Sequence, residues 1–228
     1  MRATGPSAAQ QEQVRAAARA LAAAGLVHAF GHCSVRLSAT HFLVCAAMPM
    51  GLIRNEPGAV VAIDGPLPDG VLGEVRAHQQ IYARRADAGG VCRIMPPAVM
   101  ALSTQGITPR PRHGLGAYFA PQPPLWDDPK LLRDDALAAA LADRLGDAAA
   151  IVMRGNGAIV TGKDLPTAVT LSWFLEDSAR VELAVRSMGA DLESGLLSAD
   201  EIAARQVFSG GVVERMWAHL TTPGARHD

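Results

Sequence analysis

The apolar residues of this chain recur at two spacings, one typical of helices and one typical of strands, and the two kinds of segment alternate. Period-two or continuous apolar runs predict strands at residues 26–38, 40–46, 59–64 and 90–94, and two strand halves within 149–161. Helical spacing or runs of helix formers predict helices at residues 7–24, 74–84, after Pro96-Pro97, and at 130–145, 164–187 and 201–220. We therefore expect one α/β domain over residues 1–228, three layers deep, with helices flanking a mixed or mostly antiparallel central sheet.

Turn and cap residues mark where these segments end. Ser7 and Asp164 are plausible N-caps of the helices that follow them. Glycines on both sides of Asn156 predict a tight turn between the two strand halves, and residues 209–211 interrupt the last helix. Residues 108–124 are rich in Pro and Gly, which predicts a long surface connection with a possible short strand.

Bulk composition excludes several classes of protein. Of 228 residues, 49% are apolar and 19% charged, which fits a compact globular protein. The net charge is −1, so we expect neither nucleic acid nor a membrane surface as a partner. The three cysteines lie in apolar runs and predict buried free thiols in a reducing compartment. No run reaches the roughly 20 apolar residues of a membrane span, and residues 1–13 lack the apolar core of a signal peptide, so a cytoplasmic protein is expected.

Residues 90–103 carry the clearest chemical signal. They read G-V-C-R-I-M-P-P-A-V-M-A-L-S, a buried strand that breaks at two prolines and enters an apolar helix. Arg93 lies near the end of this strand, where open-sheet enzymes tend to place working groups. A fixed cation in apolar surroundings predicts an anion-binding site.

The order of motifs resembles the class II aldolase/adducin family over nearly the whole chain. G-L-V-H-A-F-G-H-C-S-V-R resembles the family's Gly-Asn-x-Ser-x-Arg strand, and Glu74 with I-Y-A-R-R-A-D-A is similar to its glutamate helix. The strand with Arg93 resembles the strand that normally reads Val-His-x-His-Pro. R-G-N-G-A-I-V-T-G-K-D-L resembles the Asn-His-Gly strand and helix. The resemblance implies the fold of that family.

The departures from the family pattern change the expected chemistry. Where metal-dependent members have three metal-binding histidines, this chain has Arg93, Met95 and Asn156. Arginine stays cationic and would repel the ion, so the family's metal site is expected to be lost and no cofactor is predicted. The phosphate-binding elements are also replaced, by Gly31-His32, by residues 45–48 and by residues 71–73, which argues against a sugar-phosphate substrate.

Three residues are candidates for catalysis. Arg93 could bind a carboxylate or stabilise developing charge, or it could form a structural ion pair with Glu74. Glu74 aligns with the family's general acid/base, and the same ion pair is its alternative role. His113 lies in a loop, P-R-H-G-L-G-A-Y, whose composition indicates more order than a simple connection needs. It could act as a general acid or complete the site of a neighbouring subunit. The alternative is that it has no function.

Five further residues are candidates for substrate binding. His32 replaces a substrate-binding asparagine and can titrate near neutral pH, with a satisfied buried histidine as the alternative. Asn156 could bond the substrate or only form its turn, and Arg154 could be purely structural. Tyr118 lies near His113, and Met95 is most simply apolar lining that would suit a flat aromatic ligand. His78 is expected to pack internally.

Three functional hypotheses follow. The first is a metal-independent lyase, most simply a decarboxylase of a small, non-phosphorylated, hydroxylated aromatic or heterocyclic carboxylic acid, in keeping with the aromatic-acid decarboxylases of the family. The second is a catalytically silent, adducin-like ligand-binding or scaffold protein. The third keeps a divalent metal at a relocated site made by His32, Glu74 and His113. The resemblance also implies a homotetramer, with Met216 and Trp217 as an apolar packing surface.

Overall fold

The computed structural model describes residues 5–222. Within that range the helices are α1 Ala8–Ala23, α2 Arg76–Arg84, α3 Pro97–Ser103, α4 Asp135–Leu145, α5 Leu165–Ser187, α6 Ala199–Arg205 and α7 Val212–Thr221. The strands are β1 His32–Arg36, β2 His41–Val44, β3 Ala59–Ala62, β4 Gly90–Ile94, β5 Leu125–Trp126, β6 Ala150–Met153 and β7 Ala158–Gly162. Short 3₁₀ turns lie at Met50–Leu52, Gly73–Val75 and Gly116–Phe119.

The seven strands form one sheet in the order β3-β2-β1-β4-β7-β6-β5. Every neighbouring pair is antiparallel except β5 and β6, which are parallel. The prediction of a mixed, mostly antiparallel central sheet is confirmed.

Two hydrophobic cores cover the two faces of this sheet. Residues of α1, α3 and α5 build the core on one face together with Cys33, Cys92 and Ile94. Residues of α2 and α4 build the core on the other face together with Val91 and Ile151. The three-layer arrangement predicted from the alternating segments is confirmed. The three cysteines are buried and free, as expected.

Strand alternation decides which side chains of β4 face which layer. Val91 belongs to the core under α2, whereas Cys92 and Ile94 belong to the opposite core, so Arg93 faces the α2 layer. β1 runs antiparallel beside β4, with His32 directly across from Arg93. The register therefore brings one histidine and one arginine together at the same edge and on the same face of the sheet.

The first strand is shorter than predicted, because residues 26–31 lead into β1 without pairing in it. Gly31 adopts a φ of 144°, and a Cβ at this position would lie 2.7 Å from Val27 Cγ1 and 3.0 Å from the Arg93 carbonyl oxygen. The backbone before β1 therefore packs against the end of β4 at a distance that only glycine allows. The predicted strand 26–38 is corrected to His32–Arg36.

Most helix ends follow the predicted cap residues. Ser7 and Asp164 cap α1 and α5, each by accepting a hydrogen bond from a backbone amide in the first turn. The helix predicted from residue 130 begins five residues later, because Asp134 accepts from two backbone amides and fixes the start of α4. The short strand expected within 108–124 lies just beyond it, at Leu125–Trp126.

The last predicted helix is divided into α6 and α7, as the glycines in it indicated. Gly210 and Gly211 have φ values of 75° and 72°. Met216 and Trp217, predicted to form an oligomer surface, are partly buried against the protein's own core. Among residues 5–222, no helix has both the length and the apolar character that crossing a membrane would require.

Candidate active site

A cavity of about 600 Å³ opens at the edge of the sheet where β1 begins and β4 ends. This volume is typical of sites for small ligands. Its polar lining residues are His32, Glu74, Arg93, Arg133 and Asn156. The remaining wall is apolar or glycine and consists of Ala29, Phe30, Gly31, Ala47, Met48, Pro49, Leu72, Gly73, Met95 and Leu131. Four of the residues predicted from sequence, together with Met95, therefore meet in one cavity.

Arg93 provides a buried cation in this cavity, with its side chain only 4% exposed. Nη1 donates to the Ile94 carbonyl at 2.8 Å, and Nη2 donates to Asn156 Oδ1 at 2.7 Å. Nε is buried and has no hydrogen-bond partner among residues 5–222. Burial lowers the pKa of Arg93 to about 10, against the attraction of Glu74, so the side chain is still charged at neutral pH. The guanidinium is held in place by both Nη atoms, while its Nε–H is left without an acceptor among the described residues.

Glu74 is the nearest acid to this cation, but the two groups do not form a closed pair. It lies in the 3₁₀ turn that precedes α2. Its Oε2 is 4.0 Å from Arg93 Nε, whereas a charge-assisted hydrogen bond spans about 2.7–2.9 Å. The predicted ion pair therefore exists only at the limit of contact distance, and Glu74 does not satisfy the Arg93 Nε–H.

His32 lies across from Arg93 and is buried. Its Nδ1 is 2.9 Å from His78 Nε2, while its Nε2 has no hydrogen-bond partner in the described part of the chain. Burial lowers the pKa of His32 well below its ordinary value, and the nearby His78 and Arg93 lower it further. The expectation that His32 titrates near neutral pH is wrong, because a charged imidazolium would have to lie desolvated beside a guanidinium.

Behind His32, a chain of polar contacts continues into the protein. His78 Nδ1 is 2.7 Å from Ser34 Oγ, which is 3.0 Å from the Tyr82 hydroxyl oxygen. Tyr82 in turn donates to the Ser34 carbonyl at 3.1 Å. Residues 32 and 34 share one face of β1, and residues 78 and 82 share one face of α2, so the two pairs meet where helix and strand pack. His78 is buried as predicted, and burial followed by the charge of Arg93 lowers its pKa to about 3.

Asn156 lies in the turn between β6 and β7, and it also contacts the site. Gly155 and Gly157 have φ values of 62° and 75°, so both glycines are required by the turn. A Cβ at Gly157 would lie 2.0 Å from the Ile94 carbonyl oxygen, which shows how closely the turn packs on β4. The turn places Asn156 Oδ1 on Arg93, so the turn and the site contact are both present.

A family model described as Class II Aldolase and Adducin N-terminal domain matches residues 12–183. The chain belongs to this family.

Relatives in the class II aldolase/adducin family include two curated bacterial proteins named 3,4-dihydroxyphthalate decarboxylase. The protein of Terrabacter sp. (strain DBF63) is 27% identical over 239 residues, which cover 95% of this chain and 97% of that protein. The protein of Rhodococcus jostii (strain RHA1) is 29% identical over 199 residues, which cover 78% of this chain and 81% of that protein. At the level of the family, these relatives support a lyase that decarboxylates an aromatic acid.

Solved structures of the class II aldolase family agree with the fold. L-fuculose-1-phosphate aldolase from Thermus thermophilus has a TM-score of 0.73 at 27% identity, covering 81% of this chain and 98% of that one. An aldolase II superfamily protein from Pseudomonas syringae has a TM-score of 0.76 at 22% identity and covers 98% of each chain. The predicted fold is confirmed, and the second likeness bears on the fold alone.

The donor set of this cavity does not fit the divalent metal that the family resemblance implies. Arg93, Met95 and Asn156, the residues expected at the positions of the three histidines, offer a cation, a thioether and an amide. Within residues 5–222, no group of three or more His, Cys, Asp or Glu side chains is placed to hold a metal ion. A dication at this position would lie against a buried guanidinium that has no closed ion pair.

Two features of the cavity were missed by sequence reasoning. Arg133, just before the Asp134 cap of α4, adds a second cation, and its Cγ would lie 3.3 Å from a Cβ at Gly73. Phe30, Leu72 and Leu131 line the cavity although each is exposed, Phe30 by 68%. Asp134 is a recognisable N-cap and could have indicated where α4 begins. The packing of α4 beside α2, which brings Arg133 to the cavity, is a non-local contact that the local sequence pattern does not predict.

The structure does not bring the remaining predicted residues into this cavity. His113 Nε2 lies 3.6 Å from Asp177, and its neighbours Gly114 and Leu115 line a different cavity of about 650 Å³, together with Tyr118. Tyr118 donates to the Val207 carbonyl. A role for either residue at Arg93 would require another subunit, and the relocated metal site of His32, Glu74 and His113 is not assembled within the described part of the chain.

Arg154 is likewise outside the cavity. Its Nε bonds Asp127, and both side chains are exposed. The structural alternative for Arg154 therefore accounts for its observed contacts.

Proposed function

We propose that this chain is a lyase that decarboxylates a small, non-phosphorylated, hydroxylated aromatic carboxylic acid, and that it does so without a divalent metal. One observation carries the proposal: Arg93 is a buried cation with an unpaired Nε in the floor of a cavity of about 600 Å³. An unpaired buried donor costs free energy that a bound anionic oxygen would recover. The apolar wall favours a flat ring over a sugar.

Two arginines in one cavity support an aromatic ring that carries two acid groups. The curated relatives are named for 3,4-dihydroxyphthalate, which has two neighbouring carboxylates and two neighbouring hydroxyls. Arg93 would bind the group in the floor, and the exposed Arg133 would bind a second carboxylate nearer the mouth. Met48, Met95 and Leu72 would contact the ring.

The reaction replaces a carboxyl group by a proton. The ring carbon that bears the leaving carboxylate accepts a proton, with ring electrons supplied by a hydroxyl group in conjugation with it. The carbon–carbon bond then breaks, its electron pair restores the aromatic ring, and carbon dioxide leaves. Of the described residues that line the cavity, Glu74 is the one with a carboxyl group, so we assign it the transfer of the proton to carbon.

Arg93 accelerates the reaction most if it binds the oxygen on which negative charge develops in the transition state, and not the carboxylate that loses its charge. A cation held on the departing carboxylate would stabilise the ground state, because that charge disappears as carbon dioxide forms. Bound to the oxygen of the conjugated hydroxyl in its ionised form, Arg93 stabilises the negative charge that returns to this oxygen as carbon dioxide leaves. Asn156 fixes its orientation by accepting from Nη2.

Metal independence rests on the donor set described above, and it is tested separately from turnover. The protein is purified without added metal and assayed with 3,4-dihydroxyphthalate and 3,4-dihydroxybenzoate, before and after dialysis against a chelator, with carbon dioxide and ring product both measured. We expect turnover that the chelator leaves unchanged and a substoichiometric metal content. Stoichiometric zinc, manganese or iron, with activity lost on chelation, would overturn the metal-independent reaction and leave decarboxylation standing.

Absence of turnover would favour a different class of function. If the folded protein binds hydroxylated aromatic acids but releases no carbon dioxide from any of them, the silent ligand-binding hypothesis replaces the lyase. The homotetramer remains a proposal from the family resemblance, and the cytoplasmic location remains a proposal from the sequence composition. Size-exclusion chromatography with light scattering tests the first of them.

A further inference from the structure

The buried chain His32–His78–Ser34–Tyr82 has four contacts whose protons can be counted. The contacts are His32 Nδ1 with His78 Nε2, His78 Nδ1 with Ser34 Oγ, Ser34 Oγ with the Tyr82 hydroxyl, and Tyr82 with the Ser34 carbonyl. With both imidazoles neutral, the four side chains carry four exchangeable protons. Each of the four buried contacts is a hydrogen bond only if one proton lies between its two atoms. All four protons are therefore needed within the chain of contacts.

One direction of the chain places a proton in every contact. The Ser34 carbonyl can only accept, so the Tyr82 hydroxyl donates to it. Ser34 then donates to the Tyr82 oxygen, His78 donates from Nδ1 to Ser34, and His32 donates from Nδ1 to His78. In the opposite direction Ser34 donates to His78 and His78 donates from Nε2 to His32. The proton of His32 is then on Nε2, outside the chain, and one of the two Tyr82 contacts is left without a proton of its own.

The structure assigns His32 the tautomer with its proton on Nδ1, so that its Nε2 presents a lone pair to the cavity and binds a hydroxyl group of the ligand. We infer that His78, Ser34 and Tyr82 are positioning residues for this acceptor. The assignment of the hydroxyl to an aromatic substrate rests on the proposed function, whereas the tautomer itself does not. His32 Nε2 is buried and has no partner in the described chain, so a ligand O–H would satisfy it.

The cluster cannot serve as a route for net proton release. Passing a proton from the ligand along the whole chain would leave an extra proton on Tyr82, whose oxygen already donates to a carbonyl. Loss of a proton at the far end would create a tyrosinate, and burial raises the pKa of Tyr82 far above its ordinary value. The chain therefore fixes an orientation and a tautomer, and His32 acts as a hydrogen-bond acceptor.

This acceptor gives the cavity a rule for selecting ligands. Arg93 supplies a donor for an anionic oxygen, and His32, directly across in the sheet register, supplies an acceptor for a hydroxyl. A ring that carries both groups satisfies both, whereas a methyl ether at the hydroxyl leaves the buried nitrogen unpaired. Sites built to bond a hydroxyl reject analogues without it by large factors, because the polar group then stays buried without a partner.

The test begins with the protein alone. Nitrogen-15 NMR of histidine-labelled wild-type protein at neutral pH distinguishes protonated from unprotonated ring nitrogens, and the signals of His32 are assigned by their loss in His32→Gln. We expect Nδ1 protonated and Nε2 unprotonated in both His32 and His78. A protonated Nε2 on His32, or an imidazolium, overturns the inference even if the protein proves to be an active decarboxylase.

Tyr82→Phe tests the positioning role without altering any residue that lines the cavity. Without the tyrosine hydroxyl, the remaining partner for the Ser34 proton is His78 Nδ1, so we expect the His32 proton to move to Nε2. Calorimetry gives the dissociation constants of 3,4-dihydroxybenzoate and 3,4-dimethoxybenzoate. The ratio by which the protein prefers the dihydroxy compound should fall at least tenfold in this variant. A folded Tyr82→Phe protein that keeps the wild-type tautomer contradicts the relay.

Two further variants complete the comparison. Ser34→Ala breaks the same chain one residue earlier and is used if Tyr82→Phe does not fold; it should give a mixture of His32 tautomers. Ser172→Ala is the matched control, since it removes a buried serine hydroxyl that bonds the Ala168 carbonyl on the other face of the sheet. It should keep both the tautomer and the selectivity; a change in either would show that loss of any buried hydroxyl has the effect, which would overturn the relay.

Discussion

Two buried arginines of this protein face glutamates, and they do so in opposite ways. Arg112 donates from Nε to Glu182 at 2.6 Å and from its two other nitrogens to the carbonyls of Ser194 and Leu192. Arg93 also bonds through both Nη atoms, but its Nε is unpaired and Glu74 lies 4.0 Å away.

The two glutamates differ in the same sense. Glu182 is fully buried and accepts from both Arg112 and Arg186. Burial by itself raises its pKa, but the two arginines hold the pKa below its ordinary value. Glu74 has no hydrogen bond to a cation within the described chain. The closed pair holds α5 to the connection that follows α3 and satisfies the Arg112 Nε–H. The open pair leaves the Arg93 Nε–H without an acceptor among the described residues, which is costly to the fold and leaves that donor available to a ligand. The comparison therefore predicts that the first pair governs stability and the second governs activity.

The largest expected effect is on activity, from Arg93→Met. Removal of the cation should lower kcat for decarboxylation by about 10³-fold, the upper range for loss of a preorganised donor to developing charge. The free energy of unfolding should be unchanged or higher, because an apolar side chain replaces a buried ion without a closed partner. Steady-state kinetics and urea denaturation measure the two quantities. Arg93→Lys, which keeps the charge without the planar fork, should recover only part of the activity.

The converse is expected for Arg112→Met. Glu182 would keep Arg186 but lose its shorter partner, so the free energy of unfolding should fall by about 3 kcal/mol, the lower end for breaking a buried pair. The kcat of the protein that remains folded should stay within about twofold of wild type. Urea denaturation at fixed pH gives the first value. A variant that loses activity and keeps its stability would reverse the assignment of the two pairs.

Glu74→Gln tests the other member of the open pair. We expect kcat to fall by about 10²-fold, the lower range for removal of a general acid, with little change in KM for the acid substrate. Retention of full activity would remove Glu74 from the reaction and leave proton transfer to a group from solvent or from another subunit.

Counted per pH unit, the smallest effect is the pH dependence of stability from the buried histidines. The pKa of His78 is about 3 in the folded protein, and an unfolded histidine has a pKa of about 6.5. Between these values the unfolded chain binds more protons than the folded one, so the free energy of unfolding falls as pH falls. The loss approaches about 1.4 kcal/mol per pH unit for each such histidine. Denaturation curves at several pH values should show a shallower slope for His78→Gln and an unchanged slope for Ser172→Ala.

The parts of the site that lie on one segment could be predicted from the sequence. Arg93 follows from the position of β4, and Asn156 from the glycines that flank it, because strand ends and tight turns are local features. Glu74 and Met95 entered through their place in ordered motifs. These four residues do line one cavity.

Contacts between segments were harder to predict. His32 and Ser34 are alternate residues of β1, and His78 and Tyr82 are four residues apart on α2, so each pair lies on one face of its element. The contact between the two pairs could have been predicted only if β1 and α2 had been known to pack together. Their contact depends on the register of β1 and β4 and on the docking of α2, which are non-local. For the same reason His113 looked like a candidate in its loop, although the fold places it beside Asp177.

The glycines on either side of β4 have a consequence for how this site could have changed. Gly31 and Gly157 each leave no room for a Cβ against the backbone carbonyls of Arg93 and Ile94. Main chain on both flanks of the strand end is thereby fixed independently of the side chains at positions 93, 95 and 156. Substitution of those three side chains would therefore change the chemistry of the cavity floor while these two backbone contacts stay in place.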